Sequence, residues 1–345
     1  MLELYVIFFT LFSTLTINFF LKKKNLLLDK KYSSHKSLVN DNEVPLSGGL
    51  IFLLSLLVFY KNEFYQFKII LLSIFLTGIL SDINFISSPI KRILIQTFVI
   101  CLYLYLIPTY IYSIRLEFFD YYLHNSYVGY FFTLFCLVIL INGSNFMDGL
   151  NILVVGYFLT VTYIILHLSN NFNLELDFYL VKIILATLLV ILVFNFFGLL
   201  FLGDSGAYLI SFVIGYIMIH FAYDNNRVVS PYFIACMLWY PAYENLFSII
   251  RKKFNKNSAT NADTLHLHQL LYIFVKNKIS YSKKIINTLT GFIVIFFNLP
   301  ILMIGVKNFS NTKILILLII SSIIFYNFIY YYLKKRIELS SVIFY

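Results

Sequence analysis

Apolar residues in this chain come in long unbroken runs, and the polar residues are confined to the intervals between them. Runs of this kind build membrane helices, whereas a transmembrane strand would alternate with period two over about ten residues. At about 20 apolar residues per crossing, candidate spans are predicted near residues 2–21, 46–60, 68–81, 90–108, 127–142, 152–168, 178–195, 206–222, 231–250, 285–306 and 313–333. The expected fold class is all-α: a polytopic transmembrane helical bundle of about eleven spans (10–11), forming one membrane domain over 1–345. Polar connections are expected near 22–45, 82–91, 143–151, 196–205 and 251–284, the last long enough for a short helix. The first run has no basic residues before it and no small-residue cleavage site after it, so it reads as a retained helix and not a signal peptide.

Composition agrees with the pattern. The chain is 60% hydrophobic and 12% charged with a mean hydropathy of +0.85, against about 25% charged residues in a soluble protein. Charge adds a direction. Lys22-Lys23-Lys24 follow the first run while almost no positive charge precedes it, so the positive-inside rule puts the N-terminus outside. Alternation then carries most of the 26 Lys and Arg to the cytoplasmic side, among them Lys91-Arg92, Arg251-Lys252-Lys253 and Lys334-Lys335-Arg336. The net charge of +10 thus reads as topology plus affinity for anionic lipid heads or phosphates, with no nucleic-acid partner. Cys101, Cys136 and Cys236 are odd in number, lie in apolar runs and lack metal-ligand spacing, so they read as core or lipid-facing side chains.

The same alternation collects Asp82, Asp148, Asp204 and Asp263 on cytoplasmic connections, together with His266 and His268. A transporter would more often keep its ionisable groups at mid-span. Asp204 stands out, because it interrupts the apolar stretch Val193–Gly215 between Gly203 and Ser205-Gly206. A carboxylate there costs several kcal/mol, from about 2.5 upward, and is usually kept for function; the alternative is an Asp that merely caps a helix. The first connection offers His35 and Lys36 for a phosphate and Gly48-Gly49 for close helix approach, or is an ordinary basic loop. The second sets Asp82 near Lys91-Arg92, either a site or a salt bridge. In the third, Asn142, Asn145, Asp148 and Asn151 recur every three residues, which on a helix makes one polar stripe facing a cavity or a polar seam. Asn195 lies upstream of Asp204, and the fifth connection adds Arg251, Asp263, His266 and His268. Zinc is a poor reading of His-x-His, because no further ligands stand at finger spacing and the loop is basic.

Carboxylates facing histidines and cations, with no nucleophilic Ser or Cys motif, suit a diphosphate bridged by Mg²⁺. That points to a nucleotide-diphosphate substrate meeting a membrane lipid.

From about Asp29 to Leu271 the motifs resemble, in order, the polyprenyl-phosphate N-acetylhexosamine-1-phosphate transferases, the MraY/WecA-like glycosyltransferase family 4. The most specific pieces are NFMDGLN, FLGDSGAY, and DTLHLHQLL preceded by SPYFIACMLWYPAYENLFSIIRK. The resemblance implies cytoplasmic, Mg²⁺-dependent chemistry (Mn²⁺ as the alternative ion) at the inner membrane of a bacterium. An undecaprenyl-phosphate oxygen would attack the sugar-proximal phosphate of a UDP-N-acetylhexosamine, giving UMP and an undecaprenyl-diphospho-sugar. By position, Asp204 matches the metal-binding Asp and Asp82 the second member of the Asp-Asp pair. Arg92 matches a cation four residues before Gln96, Asn145 and Asp148 the nucleotide pocket with Asn151 beside them, Asn195 a further nucleotide-side Asn, and His266 and His268 the phosphate-binding histidines. Arg251 would join them in neutralising phosphate.

Four departures stand out. Ser81 replaces the first Asp of the pair, Asn151 a second carboxylate, Gln269 a third histidine, and Leu46 a frequent Arg. The style of ENLFSIIRK and HLHQLL resembles the branch that initiates surface polysaccharide, lipopolysaccharide or O-antigen synthesis. A lipid or anion transporter, or a family member with weakened catalysis, is the alternative, and a homodimer is left open.

Overall fold

The computed structural model describes residues 1–29, 43–61, 65–254 and 265–342, with side chains to 339. His35, Lys36 and Asp263 lie outside these residues. The helices are α1 (Leu2–Lys24), α2 (Gly48–Phe59), α3 (Tyr65–Asp82), α4 (Pro89–Leu106), α5 (Glu117–Leu123), α6 (Ser126–Met147) and α7 (Leu153–Phe172). They continue as α8 (Phe178–Phe196), α9 (Gly203–Asp224), α10 (Pro231–Met237), α11 (Trp239–Phe254), α12 (Leu267–Lys276), α13 (Lys283–Lys307) and α14 (Thr312–Val342). Among the described residues, α1, α3, α4, α6, α7, α8, α9, α13 and α14 are each long and apolar enough to cross a bilayer, so this is an all-α polytopic bundle.

The other two predicted spans take unusual forms. Helix α2 has 12 residues, or about 18 Å at 1.5 Å per residue, short of the roughly 30 Å hydrocarbon core. Its ends nonetheless reach far apart. Gly48 packs on Leu202 before α9, while Tyr60 donates from its hydroxyl to Asp177, the N-cap of α8, at 2.6 Å. The predicted span 231–250 is the pair α10 and α11, bent by 73°. Proline explains the bend. Pro241 has no N–H for the carbonyl of Met237 four residues back, and that oxygen instead accepts the Tyr157 hydroxyl at 2.9 Å.

Helix α9 is the hub, with 83% of its span window buried, against 28% for α1 and 22% for α14. Its first turn is reached so closely only because small residues face it. A Cβ on Gly49 of α2 would stand 2.5 Å from Gly206 N, and one on Gly78 of α3 would run into the Ser205 backbone. This close approach is the role expected for the Gly48-Gly49 pair.

The ends of α1 and α3, the start of α9, the end of α6 and helix α12 gather at one face of the bundle. There the chain braces itself with backbone bonds: Asp29 N to Val44 O, Leu46 N to Leu27 O, Phe201 N to Pro45 O and Gly48 N to Phe201 O, 2.8–3.1 Å. At the opposite face Arg115 ties three connections together, donating to Ser310 O (3.2 Å), Asn226 O (2.8 Å) and Val229 O (3.0 Å). Helix α5, which no long apolar run announced, leaves Phe118 and Tyr121 exposed beside this clasp.

Candidate active site

The start of α9 is built by its neighbours. Its N-cap position is Leu202, which offers no side-chain acceptor. The acceptor comes from α3: Asp82 takes the Asp204 N–H on Oδ1 at 2.8 Å and the Ser205 N–H on Oδ2 at 3.1 Å. Asp82 is thus a tertiary cap on the positive end of α9. Gly203 is required beside it, both for its φ of +70° and because a Cβ would meet Asp82 Oδ2 at 2.7 Å.

Asp204 Oδ2 accepts from Ser81 Oγ at 2.5 Å and from Arg92 Nη1 at 3.0 Å, and the same Nη1 lies 2.9 Å from Ser81 Oγ. The salt bridge considered between Asp82 and the cations of α4 is therefore made by Arg92 with Asp204, both partly exposed at 24% and 17%. Ser81, where the family pattern has Asp, spans the pair as donor to one member and neighbour of the other. One helical turn on, Gln96 Oε1 accepts from Asn142 Nδ2 at 2.9 Å, joining α4 to α6.

The polar stripe expected along α6 is broken. Helix α6 ends at Met147, Asp148 is its C-cap, and Ile152 takes a left-handed φ of 62° before α7. Asn142 and Asn145 ride the helix, but Asn151 lies beyond the turn. It donates from its backbone to Asn287 Oδ1 (2.7 Å) and from Nδ2 to Thr288 Oγ1 (3.2 Å), both on α13. The helix gives out at Met147, and the chain turns through Asp148–Ile152 before α7 begins. Asn195, expected on the nucleotide side, lies beside this turn and lines the cleft next to it. Its amide bridges two backbones, accepting from Ile152 N (2.5 Å) and donating to Leu200 O (2.9 Å), so it clamps the 148–152 turn to the 198–202 turn. Between these turns lies a small cleft lined by Asp29, Asp148, Gly149, Leu150, Asn151, Asn195 and Phe201. Asp29 was not singled out in the sequence, where it only marks the end of an apolar stretch.

The histidines sit on the other side of Gly149. A Cβ on Gly149 would lie 3.1 Å from His268 Nε2. The His266 and His268 rings stack at 5.6 Å, and Phe146, in the NFMDG segment, packs on His266 at 4.9 Å. His268 is fully buried, and neither ring nitrogen has a hydrogen-bond partner. Burial, with a smaller repulsion from His266, pushes it down to about 4 against the pull of Glu244. A folded-state value below the ordinary 6.5 means that the unfolded chain binds a proton the folded chain refuses. Stability should therefore be unaffected above pH 6.5 and fall by up to about 1.4 kcal/mol per pH unit from there to pH 4. Melting curves across that range should show this slope reduced in His268→Gln; identical slopes would exclude His268 as its source.

Arg251, expected at the phosphates, is turned into the protein. It donates to Leu265 O and, at 2.9 Å, to the Tyr330 hydroxyl, and its guanidinium lies over the Phe247 and Tyr330 rings at 5.8 and 5.6 Å. It anchors the segment entering the histidine motif. Gln269 does the same from within, accepting from His266 N at 3.3 Å. Sequence reasoning missed Glu244, a fully buried carboxylate that receives His266 Nδ1 at 2.9 Å.

An apolar cavity of about 420 Å³ lies between α6, α9, α10, α11 and α14, running from the Tyr110–Arg115 segment at the opposite face to Ala242 and Leu246.

Residues 65–222 match glycosyl transferase family 4. Over 253 residues, 68% of each chain, the sequence is 25% identical to the "Probable undecaprenyl-phosphate N-acetylglucosaminyl 1-phosphate transferase" of Bacillus subtilis (strain 168). The matched stretch holds Asp82, Arg92, Asp148 and Asp204, which lie in or at the ends of α3, α4, α6 and α9, so the similarity to glycosyl transferase family 4 takes in the carboxylates and the cation gathered at this face.

Proposed function

We propose that the protein transfers a sugar-1-phosphate from a UDP-N-acetylhexosamine to undecaprenyl phosphate, at the cytoplasmic face of a bacterial inner membrane, and so starts a lipid-linked surface glycan. The observation that carries this reading is the Asp204–Arg92–Ser81 cluster on the capped start of α9. The phosphate chemistry needs little from a protein base. A lipid phosphate dianion is already a nucleophile near pH 7, so an Asp at position 81 is dispensable as a base and positioning carries the rate. The bond formed joins a lipid phosphate oxygen to the sugar-proximal phosphorus; the bond broken is that phosphorus to the bridging oxygen, which leaves with UMP.

An ion shared with a diphosphate needs only one or two protein carboxylates. The donor set fits this use and no larger one: among the described residues no three His, Cys, Asp or Glu side chains converge as a metal cage. Asp204 with Asp82 would hold Mg²⁺, or Mn²⁺ in its place, and the ion would supply charge neutralisation on the diphosphate. Arg92 holds Asp204 in place and offers positive charge beside it. Asp148 and Asn145 at the end of α6 line the approach for the nucleotide, His266 and His268 for the phosphates. The apolar cavity between α6 and α11 suits a polyprenyl chain.

The test is UMP release by the purified protein from a panel of UDP-N-acetylhexosamines, with and without undecaprenyl phosphate and Mg²⁺. Turnover that needs both is expected, and the preferred donor names the sugar. A folded preparation that releases no UMP from any donor would refute the reading.

A further inference from the structure

A carboxylate with no assigned part in the chemistry lies behind the histidine motif. Glu244 of α11 is 0% exposed, and the groups that meet it come from α14 and from the start of α12. Tyr326 of α14 donates from its hydroxyl to Oε2 at 2.8 Å; Leu267 of α12 donates its backbone N–H to Oε1 at 3.3 Å; His266 Nδ1 lies 2.9 Å from the same Oε1. A backbone N–H can only donate, so Oε1 is an acceptor, and the Nδ1 sharing that oxygen carries its own proton. Ser248 Oγ, 3.2 Å from Nδ1, adds a second contact on the same side of the ring. Both bonds involve Nδ1, so Nε2 is the nitrogen left for a ligand.

We propose that Glu244 is a positioning residue for phosphate capture: held by Tyr326 and Leu267, it fixes the His266 proton on Nδ1 and reserves Nε2 for a phosphate oxygen of the nucleotide. The proposal rests on the transferase reading for the identity of the ligand. An imidazole that presents Nε2 to a phosphate must carry a proton there as well, and the resulting cation needs a counter-charge in this buried setting. Glu244 supplies it. The other polar and charged groups around the pair do not compete for that task. Arg251 is engaged with Leu265 O and Tyr330, His268 stacks on His266 without a hydrogen bond, and Tyr240 packs on Tyr326. Helix α14, far along the chain from the family motifs, thereby reaches Glu244 through the Tyr326 hydroxyl.

The experiment is nitrogen-15 spectroscopy of histidine-labelled full-length protein in nanodiscs, with His266→Gln assigning the signal and UMP as the probe. In the wild type His266 should show a protonated Nδ1, and UMP should bring in the signature of a ring protonated on both nitrogens. Glu244→Met, which keeps the volume and removes the acceptor, should move the proton off Nδ1 and weaken UMP binding about tenfold, the equivalent of one hydrogen bond to a charged group. Glu244→Gln retains an acceptor oxygen and should keep the Nδ1 proton. If Glu244→Met does not purify folded, Tyr326→Phe loosens the same carboxylate and should weaken UMP binding in the same direction. A wild-type ring protonated on Nε2 alone, or a Nδ1 proton unmoved in Glu244→Met, would overturn the proposal. Absence of turnover in the wild type, with the Nδ1 proton fixed as described, would instead count against the transferase reading and leave the Glu244–His266 pairing in place.

Discussion

Asp204→Asn is expected to cut UMP release by about 10²–10³-fold in a protein that still folds, the usual consequence of removing one electrostatic group from a reacting phosphate's surroundings. Asparagine keeps the shape and one oxygen, so Ser81 retains an acceptor for its hydroxyl. The charge is what goes. Arg92 then faces no carboxylate at 3.0 Å, and under the proposed function an ion shared with the diphosphate would lose one of its two protein carboxylates. Because Asp204 lies in the first turn of α9 and Asp82 bonds its backbone, the substitution leaves the helix start intact. UMP release measured against undecaprenyl phosphate at saturating donor, with size-exclusion profiles matched to the wild type, checks both halves of the statement. Turnover within twofold of the wild type would remove Asp204 from the chemistry.

Gly78→Val should be strongly disruptive to the fold. Any side chain at Gly78 meets the Ser205 backbone, with Ser205 N only 2.6 Å from a Cβ, and backbone cannot swing aside as a flexible side chain does. Overpacking of this kind costs about 1–3 kcal/mol when side chains can adjust, and more is expected where two spans must separate. Separation of α3 from α9 would also pull Asp82 off the Asp204 and Ser205 N–H groups. A lowered melting temperature, loss of a monodisperse peak and loss of activity should therefore appear together. A wild-type melt in Gly78→Val would contradict the packing described between α3 and α9.

The long apolar runs made most of this fold legible, because a helix that must satisfy its backbone in lipid leaves an unmistakable length of apolar sequence. The short helix expected in the last long connection is α12. Helix α5 was not legible, since EFFDYYL is too short for a span and carries its charges among its aromatics. At the site, Asp204, Arg92 and the histidines could be named one by one from charge interrupting apolar sequence, but their pairing could not. Arg92 and Asp204 are 112 positions apart and Asp82 and Asp204 122, and nothing local in either segment encodes the partner. The Asn stripe failed because a three-residue spacing was carried past Met147, where the helix stops. Glu244 was readable in principle: a carboxylate inside the predicted span 231–250 carries the same signal that singled out Asp204.

Asp82 reaches the start of α9 from a neighbouring span, and the turn before α9 contributes no side-chain cap of its own. The innermost carboxylates are consequently registered by helix packing deep in the bundle, while the cleft beside Asp148 and the approach to the histidines are bounded by connecting turns. Such a division lets the rim drift in sequence without disturbing the base beneath it. A substitution in those turns can therefore reshape the cleft beside Asp148 while the Asp82 bonds to the start of α9 stay in place.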